Sequence, residues 1–532
     1  QREGSARVDG AVAATAYGPS PRALAFARAL PWLGVAGLVA WLATAPFRAD
    51  VGGFTLSRGD AIAAADAALV ARGVALPGEW TRSATIRLAS DDASQWTAHR
   101  FVWQEGSPAI YRAVVGHTLP APLWAVRYAR FSGDVVDRAE EWRVTVNGDG
   151  SIRQVSHLLP EGRAGASLSR DAAQRIAEAE LRTRFGVDPA TLKPMGARDQ
   201  ARPARTDWTF LWTDPKITVG KGGESRLQVS IGGDEVTNSG RAVFIPEAWL
   251  RAEQARDGQW ASAKIGAGIL IACAGLAALF LGVRRFTSSQ NDMRAGVLVG
   301  GITFVAMMLA FANRWQSLAY GLSTTDPVPT QVALRIGAIL VGGVLAGLFI
   351  GLIASVSSHA MRSTVAQPVR RDFPPWLCGA AAALMVIGFA SLLGAATPRQ
   401  APIWPSLNIE NTALPPLAAL LSGANYLREV TIALFVLFVL QRITANWNKR
   451  VWTVVVLLIL LHAIPALASR EVGPALAAGL ASALVATAVV LWLFRFDARA
   501  LPAYVATTMM LSAAVETAQK GTAVGWIWFT VK

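Results

Sequence analysis

Apolar and polar positions divide the chain into three regimes. Between Arg22 and Arg48 lies one apolar run, Leu30–Ala45, preceded by Arg22 and Arg28. No small-residue cleavage site follows it, so it reads as an uncleaved membrane anchor rather than a removed signal peptide. From about Asp50 to Gly258 polar and charged residues return in alternation, with Gly-Asp-Gly turns, and predict a soluble α+β domain. From Ala261 apolar runs resume and predict helices near Ile265–Val283, Ala295–Ala312, Val332–Ser355, Trp376–Leu393, Leu414–Leu440, Trp452–Ala468, Val472–Phe494 and Leu501–Ala514. Leu414–Leu440 is longer than one upright helix needs; with Pro415-Pro416 and Ser422-Gly423 inside it, a re-entrant piece followed by a helix is expected. The pattern as a whole predicts a polytopic α-helical membrane protein of about nine transmembrane helices, carrying an α+β extracytoplasmic domain.

The polar regime contains an internal repeat. Leu56-Ser57-Arg58 opens an Ala-rich helical stretch ending near Gly73, and Leu168-Ser169-Arg170 opens a second ending near Gly186. In each, Ser is placed as an N-cap with an acid, Asp60 or Asp171, in the first turn. Strand-like segments follow: Trp124–Phe131, Trp142–Val146 and Ile152–Leu158 in the first copy, and Asp207–Trp212, Arg226–Ile231 and Val236–Phe244 in the second. Both copies finish on Pro-Glu, at Pro160-Glu161 and Pro246-Glu247. Two helix-plus-antiparallel-sheet units are therefore expected, an arrangement that resembles tandem PepSY-type modules. The expected divisions are a juxtamembrane linker at 1–21, the anchor at 22–48, the two α+β repeats at 49–160 and 161–258, transmembrane helices at 259–400 and a final transmembrane core at 401–532.

Composition supports membrane residence. Apolar residues make up 53% of the chain and charged residues only 16%, against about 25% charged in soluble domains. The net charge of +14 sits largely at the ends of apolar runs, which fits anchoring beside anionic lipid headgroups. No basic-aromatic stripe accompanies it, so nucleic acid is not expected as a partner. Trp32, Trp315, Trp376, Trp404, Trp452 and Trp492 lie near the ends of apolar runs, at the expected headgroup level. Cys273 and Cys378 both fall inside apolar runs, so neither a disulfide framework nor a zinc site is expected, and no cofactor motif is present. The chain opens on Gln1 rather than Met, and a preceding segment is expected.

Charge also orients the chain. With a cytoplasmic N-terminus, the cytoplasmic connections carry Arg284, Arg285 and Arg294, then Arg362, Arg370 and Arg371, then Arg442, Lys449 and Arg450, then Arg495 and Arg499. The opposite short connections carry only Arg314, Arg399 and Arg470. This bias assigns the soluble domain to the periplasm or cell exterior, and a bacterial inner membrane is the expected location.

An ionisable group in a membrane helix costs about 3 kcal/mol on insertion scales and is a functional candidate by default. Arg428, Glu429 and His462 are the candidates here. Antiparallel neighbouring helices could bring Glu429 to His462, where a carboxylate and an imidazole activate water. Alternatively, Arg428 and Glu429 form a self-paired couple and His462 bonds across helices. The acidic stretches Asp91-Asp92 and Asp134 to Glu141 read as solvated faces rather than cation sites.

The order of features resembles long members of the CAAX-protease and bacteriocin-processing family of intramembrane endopeptidases. The phrases that carry the resemblance in the soluble region are Leu168-Ser169-Arg170, Arg205-Thr206-Asp207-Trp208-Thr209-Phe210 and Pro246-Glu247-Ala248-Trp249. The resemblance implies three motifs. A Glu-Glu pair with Arg three residues on corresponds here to Arg428-Glu429-Val430-Thr431-Ile432-Ala433, with one Glu replaced by Arg and the Arg position held by Ala433. A Phe with His four residues on corresponds to Leu458 and His462. A later His followed by Asn or Asp has no counterpart in Leu501–Ala513. Of the implied catalytic set only Glu429 and His462 remain, and Arg428 should hold Glu429 ionised. The expected function is a non-catalytic scaffold or accessory subunit in contact with lipid and other membrane proteins. An active endopeptidase using Glu429 and His462, or a sensor with a cytoplasmic effector domain, are the alternatives.

Overall fold

The computed structural model describes residues 20–258, 292–365, 372–467 and 472–520, with isolated positions between 261 and 280. The linker before residue 20, Cys273, Arg284, Arg285, Arg370, Arg371, Arg470 and most of the Ile265–Val283 helix lie outside the described residues.

The first helix, α1 (Pro21–Thr44), starts where Ser20 Oγ accepts from the Ala23 N–H and Pro21 occupies the first turn, where its missing N–H costs nothing. It leads into two four-stranded antiparallel sheets, with strand orders β1-β2-β3-β4 and β5-β6-β7-β8. Helix α2 (Arg58–Val70) precedes β1 (Thr81–Arg87); α3 (Ala93–Phe101) and α4 (Pro108–Val114) come between it and β2 (Leu123–Ala129). A single turn, α5 (Val135–Arg138), separates β2 from β3 (Glu141–Asn147) and β4 (Ile152–Leu158). Then α6 (Arg170–Phe185) precedes β5 (Lys193–Arg202), β6 (Arg205–Asp214), β7 (Glu224–Gly232) and β8 (Glu235–Phe244).

The local signals act as their chemistry requires. Ser57 and Ser169 cap α2 and α6 by accepting from the N–H groups of Asp60 and Ala172. Gly186 closes α6 in the left-handed region, at φ +63°, where a Cβ would be strained. The apolar face of α2, with Ala61, Ala65 and Leu69, packs on Trp124, Val126, Val144 and Val155 of the first sheet. Ala173, Ala177 and Leu181 of α6 do the same on Phe210, Leu227 and Val229 of the second. The two sheets abut through side chains of β4 and β8, where Ser156 Oγ lies 3.0 Å from Asn238 Oδ1.

Past residue 292 the chain is helical: α7 (Met293–Tyr320), α8 (Val328–Val365), α9 (Pro375–Ala396), α10 (Pro415–Leu420), α11 (Ser422–Ile443), α12 (Trp452–Leu467), α13 (Val472–Val489, extended by a π turn through Phe494) and α14 (Leu501–Lys520). Among the described residues six helical spans are long and apolar enough to cross a membrane: Pro21–Thr44, Met293–Tyr320, Val328–Ser358, Pro375–Ala396, Pro415–Ile443 and Val472–Phe494. The molecule is thus a membrane protein with a sheet domain. The expected nine helices are not reached among these residues. At 16 residues α12 is short, and α14 ends in polar Glu516, Gln519 and Lys520.

Close helix contacts use small residues. On α7 and α8, Gly296 and Gly300 lie against Gly351 and Gly347, backbone to backbone. On α1 and α9, Gly37 and Gly388 touch so closely that a Cβ at Gly388 would fall on the Gly37 carbonyl. Gly479 of α13 packs on the His462 carbonyl of α12.

Candidate functional site

The polar residues singled out in the membrane region do not assemble a catalytic pair. Arg428 Nη2 donates to Glu429 Oε1 at 3.1 Å, and the two side chains are 43% and 47% exposed. His462 turns its Nδ1 to the Leu458 carbonyl of its own helix, at 2.8 Å. No hydrogen bond or ion pair joins Glu429 to His462. The packing gives the reason. Helix α11 lies mainly on α8 and α14, whereas α12 lies on α13. The two consecutive helices meet near their connection, where Leu440, Trp447 and Val454 cluster.

A dense polar construction lies elsewhere, at the seam between the sheet domain and the helices. Its keystone is the connection from α9 to α10, residues 397–414, of which the sequence singles out only Arg399, as a loop charge, and Trp404, as a headgroup-level indole. Leu407 inserts into the hydrophobic core under the first sheet. Asn411 Oδ1 accepts the Ile86 N–H at 2.9 Å, and its backbone carbonyl accepts from Arg58 Nη2 at 2.8 Å and from Ser317 Oγ of α7 at 2.7 Å. Trp103 Nε1 donates to the Arg399 carbonyl at 2.9 Å. Trp404, expected at headgroup level, donates Nε1–H to the Tyr111 hydroxyl at 2.9 Å. That hydroxyl lies 2.8 Å from Nδ1 of the fully buried His99. Burial, and less so the nearby Arg153 charge, push the His99 imidazole down to about 3, so it is a neutral structural partner.

Two buried acids complete the seam. Asp50, 5% exposed, accepts from Arg112 Nη2 at 2.7 Å, Arg399 Nη1 at 2.7 Å and the Ile403 N–H at 2.9 Å. Burial opposes its ionisation, but the Ile403 N–H and the two guanidinium groups outweigh that and hold the carboxyl below the usual carboxylate range. Glu141 on β3 is bonded by Arg127 of β2 and by Arg143 Nη2 at 2.8 Å, and it too is held low against the opposing effect of burial. Arg127 also donates Nη1 to the carbonyls of Tyr320 at 2.8 Å and Leu322 at 2.6 Å, just where the last carbonyls of α7 run out of intrahelical N–H donors. The first sheet is thereby bolted to the end of a membrane helix.

The acidic stretches noted in the sequence have structural uses. Asp92 caps α3 through the N–H groups of Ser94 and Gln95, and Asp91 accepts from the Leu88 N–H. Glu140 lies with Arg130, Arg163 and His157, whose other ring nitrogen is 2.7 Å from Glu235 of the second sheet. Among the described residues no group of three or more His, Cys, Asp and Glu could hold a metal ion. The seam residues gave one legible signal. Asp50 and Arg399 each follow shortly after an apolar run ends, where a charge has to be hydrated or paired. No family model matches the chain, and no curated protein or solved structure matches it.

Proposed function

We propose that this chain is a non-catalytic integral membrane scaffold or accessory subunit. Its core is read as a degenerate intramembrane endopeptidase fold, carrying a tandem α+β domain as a second contact surface. The identical strand order of the two sheets and the helix ahead of each support the tandem reading. The positive-inside bias supports a cytoplasmic N-terminus and an extracytoplasmic sheet domain, and the resemblance to the endopeptidase family suggests a bacterial inner membrane with that domain in the periplasm.

One observation carries the reading. Arg428 and Glu429 lie about two turns into α11, directly before the apolar stretch Val430–Leu440, and nearly half of each side chain is exposed. Left against lipid, the pair is costly even when self-paired, on the order of several kcal/mol. A polar group from a neighbouring membrane helix relieves that cost, and such a group is what a binding partner supplies. The same pairing occupies the carboxylate that hydrolysis would need as a free base.

A photoreactive amino acid placed at position 429 tests this in native membranes. Discrete protein adducts are expected, together with co-purification of the captured partner. Adducts to lipid alone, from a protein that always purifies by itself, would retire the scaffold reading. Accumulation of an uncut membrane substrate in a folded Glu429→Ala variant would replace it with the protease alternative.

A further inference from the structure

A cavity of about 1060 Å³ opens where α1 and α9 end and the sheet domain begins. That is ample for a small-molecule headgroup, since ligand pockets begin near ~300 Å³. Its upper wall carries three arginines, Arg48, Arg112 and Arg399, against one acid, Asp50. Its lower wall is the last turn of two membrane spans, with Ala45, Phe47 and Ala395 beside the hydroxyls of Thr44 and Ser391, 2.9 Å apart. We propose that this crevice binds the headgroup of an anionic phospholipid, its phosphate held by the three guanidinium groups and its acyl chains lying along α1 and α9.

Three features argue for a built site rather than scattered surface charge. First, Asp50 fixes two of the arginines without consuming them. Arg112 spends Nε and Nη2 on Asp50, and Arg399 spends Nη1, which leaves Arg112 Nη1 and Arg399 Nε and Nη2 without an acceptor among the described residues. Arg399 is further held over the Trp103 ring, 4.8 Å from its centroid. Second, Arg48 has no hydrogen-bond or ion-pair partner among the described residues, and it lines the same space. Third, the charge balance favours an anion. The helix ends of α1 and α9 present partial negative charge, and Asp50 a full one, yet three cations outnumber them. The apolar lower wall at the end of two spans then selects an amphiphile over a free anion, and a phosphodiester suits the planar guanidinium forks. This inference does not depend on whether the membrane core is catalytic.

The test uses the full chain in neutral detergent, following thermal unfolding with added phosphatidylglycerol, phosphatidylcholine or inorganic phosphate. Phosphatidylglycerol should raise the midpoint in a saturable way, and the other two should not. Arg48→Gln, which leaves the Asp50 contacts intact, should weaken the apparent affinity about fivefold, and Arg48→Glu should abolish the response. Arg198→Gln, on the exposed edge strand β5, should leave it unchanged. Equal stabilisation by phosphatidylcholine, or an unaltered response in both Arg48 variants, overturns the site. Stabilisation by inorganic phosphate equal to that by the lipid assigns the crevice to a soluble anion and overturns the lipid.

Discussion

Asp50 sits six residues past the end of the first membrane span, with both carboxylate oxygens occupied by donors from α4 and from the 397–414 connection. It closes the seam at one atom pair, and it does so as an anion. Asp50→Asn keeps the shape and removes the charge, so the charge-assisted bonds from Arg112 and Arg399 weaken together. A loss of about 2 kcal/mol is expected, because both guanidinium groups can recover some hydration. The pH dependence follows from the lowered pKa. A carboxyl whose folded value lies below its unfolded value of about 3.9 stabilises the protein above that pH and loses its contribution as pH falls through the folded value. The stability difference between wild type and Asp50→Asn should therefore be constant from about pH 5 to 7 and narrow on acidification below about pH 4. Thermal unfolding across that range measures it, and a gap that widens on acidification would show that Asp50 is not held as an anion.

Elements differ in how plainly they can be read. The membrane helices announce themselves because lipid asks every face to be apolar, so α1, α7, α8, α9 and α13 coincide closely with continuous runs. Strands β3, β4, β6 and β7 are legible from alternation, one face being buried against a helix, and β2, buried along its whole length, from its apolar and aromatic residues. The outer strands β1 and β5 are not, unlike β4 and β8 at the opposite edges, where the two sheets meet. β5, Lys193–Arg202, is exposed along nearly its whole length, so no alternation is imposed on it. Helices α3 and α4 are too short, at 9 and 7 residues, to establish a period. Glu429 and His462, on consecutive helices, are not brought into contact, because α11 packs on α8 and α14 while α12 packs on α13; of the two arrangements the sequence allows, Arg428 is paired with Glu429. Small residues, in contrast, mark the contacts that matter. Gly388→Val would drive a side chain into the Gly37 carbonyl and should separate α1 from α9 at a cost of about 3 kcal/mol. Gly342→Ala, where an added Cβ meets nothing, should be neutral within about 0.5 kcal/mol. Unfolding midpoints of the two variants in detergent decide the matter; equal midpoints would mean that the α1–α9 contact is dispensable.

At the scale of the molecule, the sheet domain is not a passenger tethered by a flexible linker, since its buried charges terminate on the membrane helices. Arg127 joins strands β2 and β3 through Glu141 and joins both to α7 through the Tyr320 and Leu322 carbonyls. A movement of α7 along its axis must therefore pull on the first sheet, and a change in that sheet must load α7. Removing Arg127 alone strands two carbonyls and leaves Glu141 with Arg143 as its remaining cation. Arg127→Met is expected to cost about 3 kcal/mol, most of it from the acid left short of a partner. Arg127→Met combined with Glu141→Leu removes that acid and should recover part of the loss, while the tie to α7 stays cut. Amide hydrogen exchange separates stability from coupling. In the double variant, exchange should rise in the Gly321–Thr325 connection and in β2 and β3, and stay at the wild-type level in β6 and β7, whose core is separate. If exchange in the connection is unchanged in both variants, the sheet domain and the bundle are joined by the 397–414 keystone alone, and motion in α7 has no route to the first sheet through Arg127.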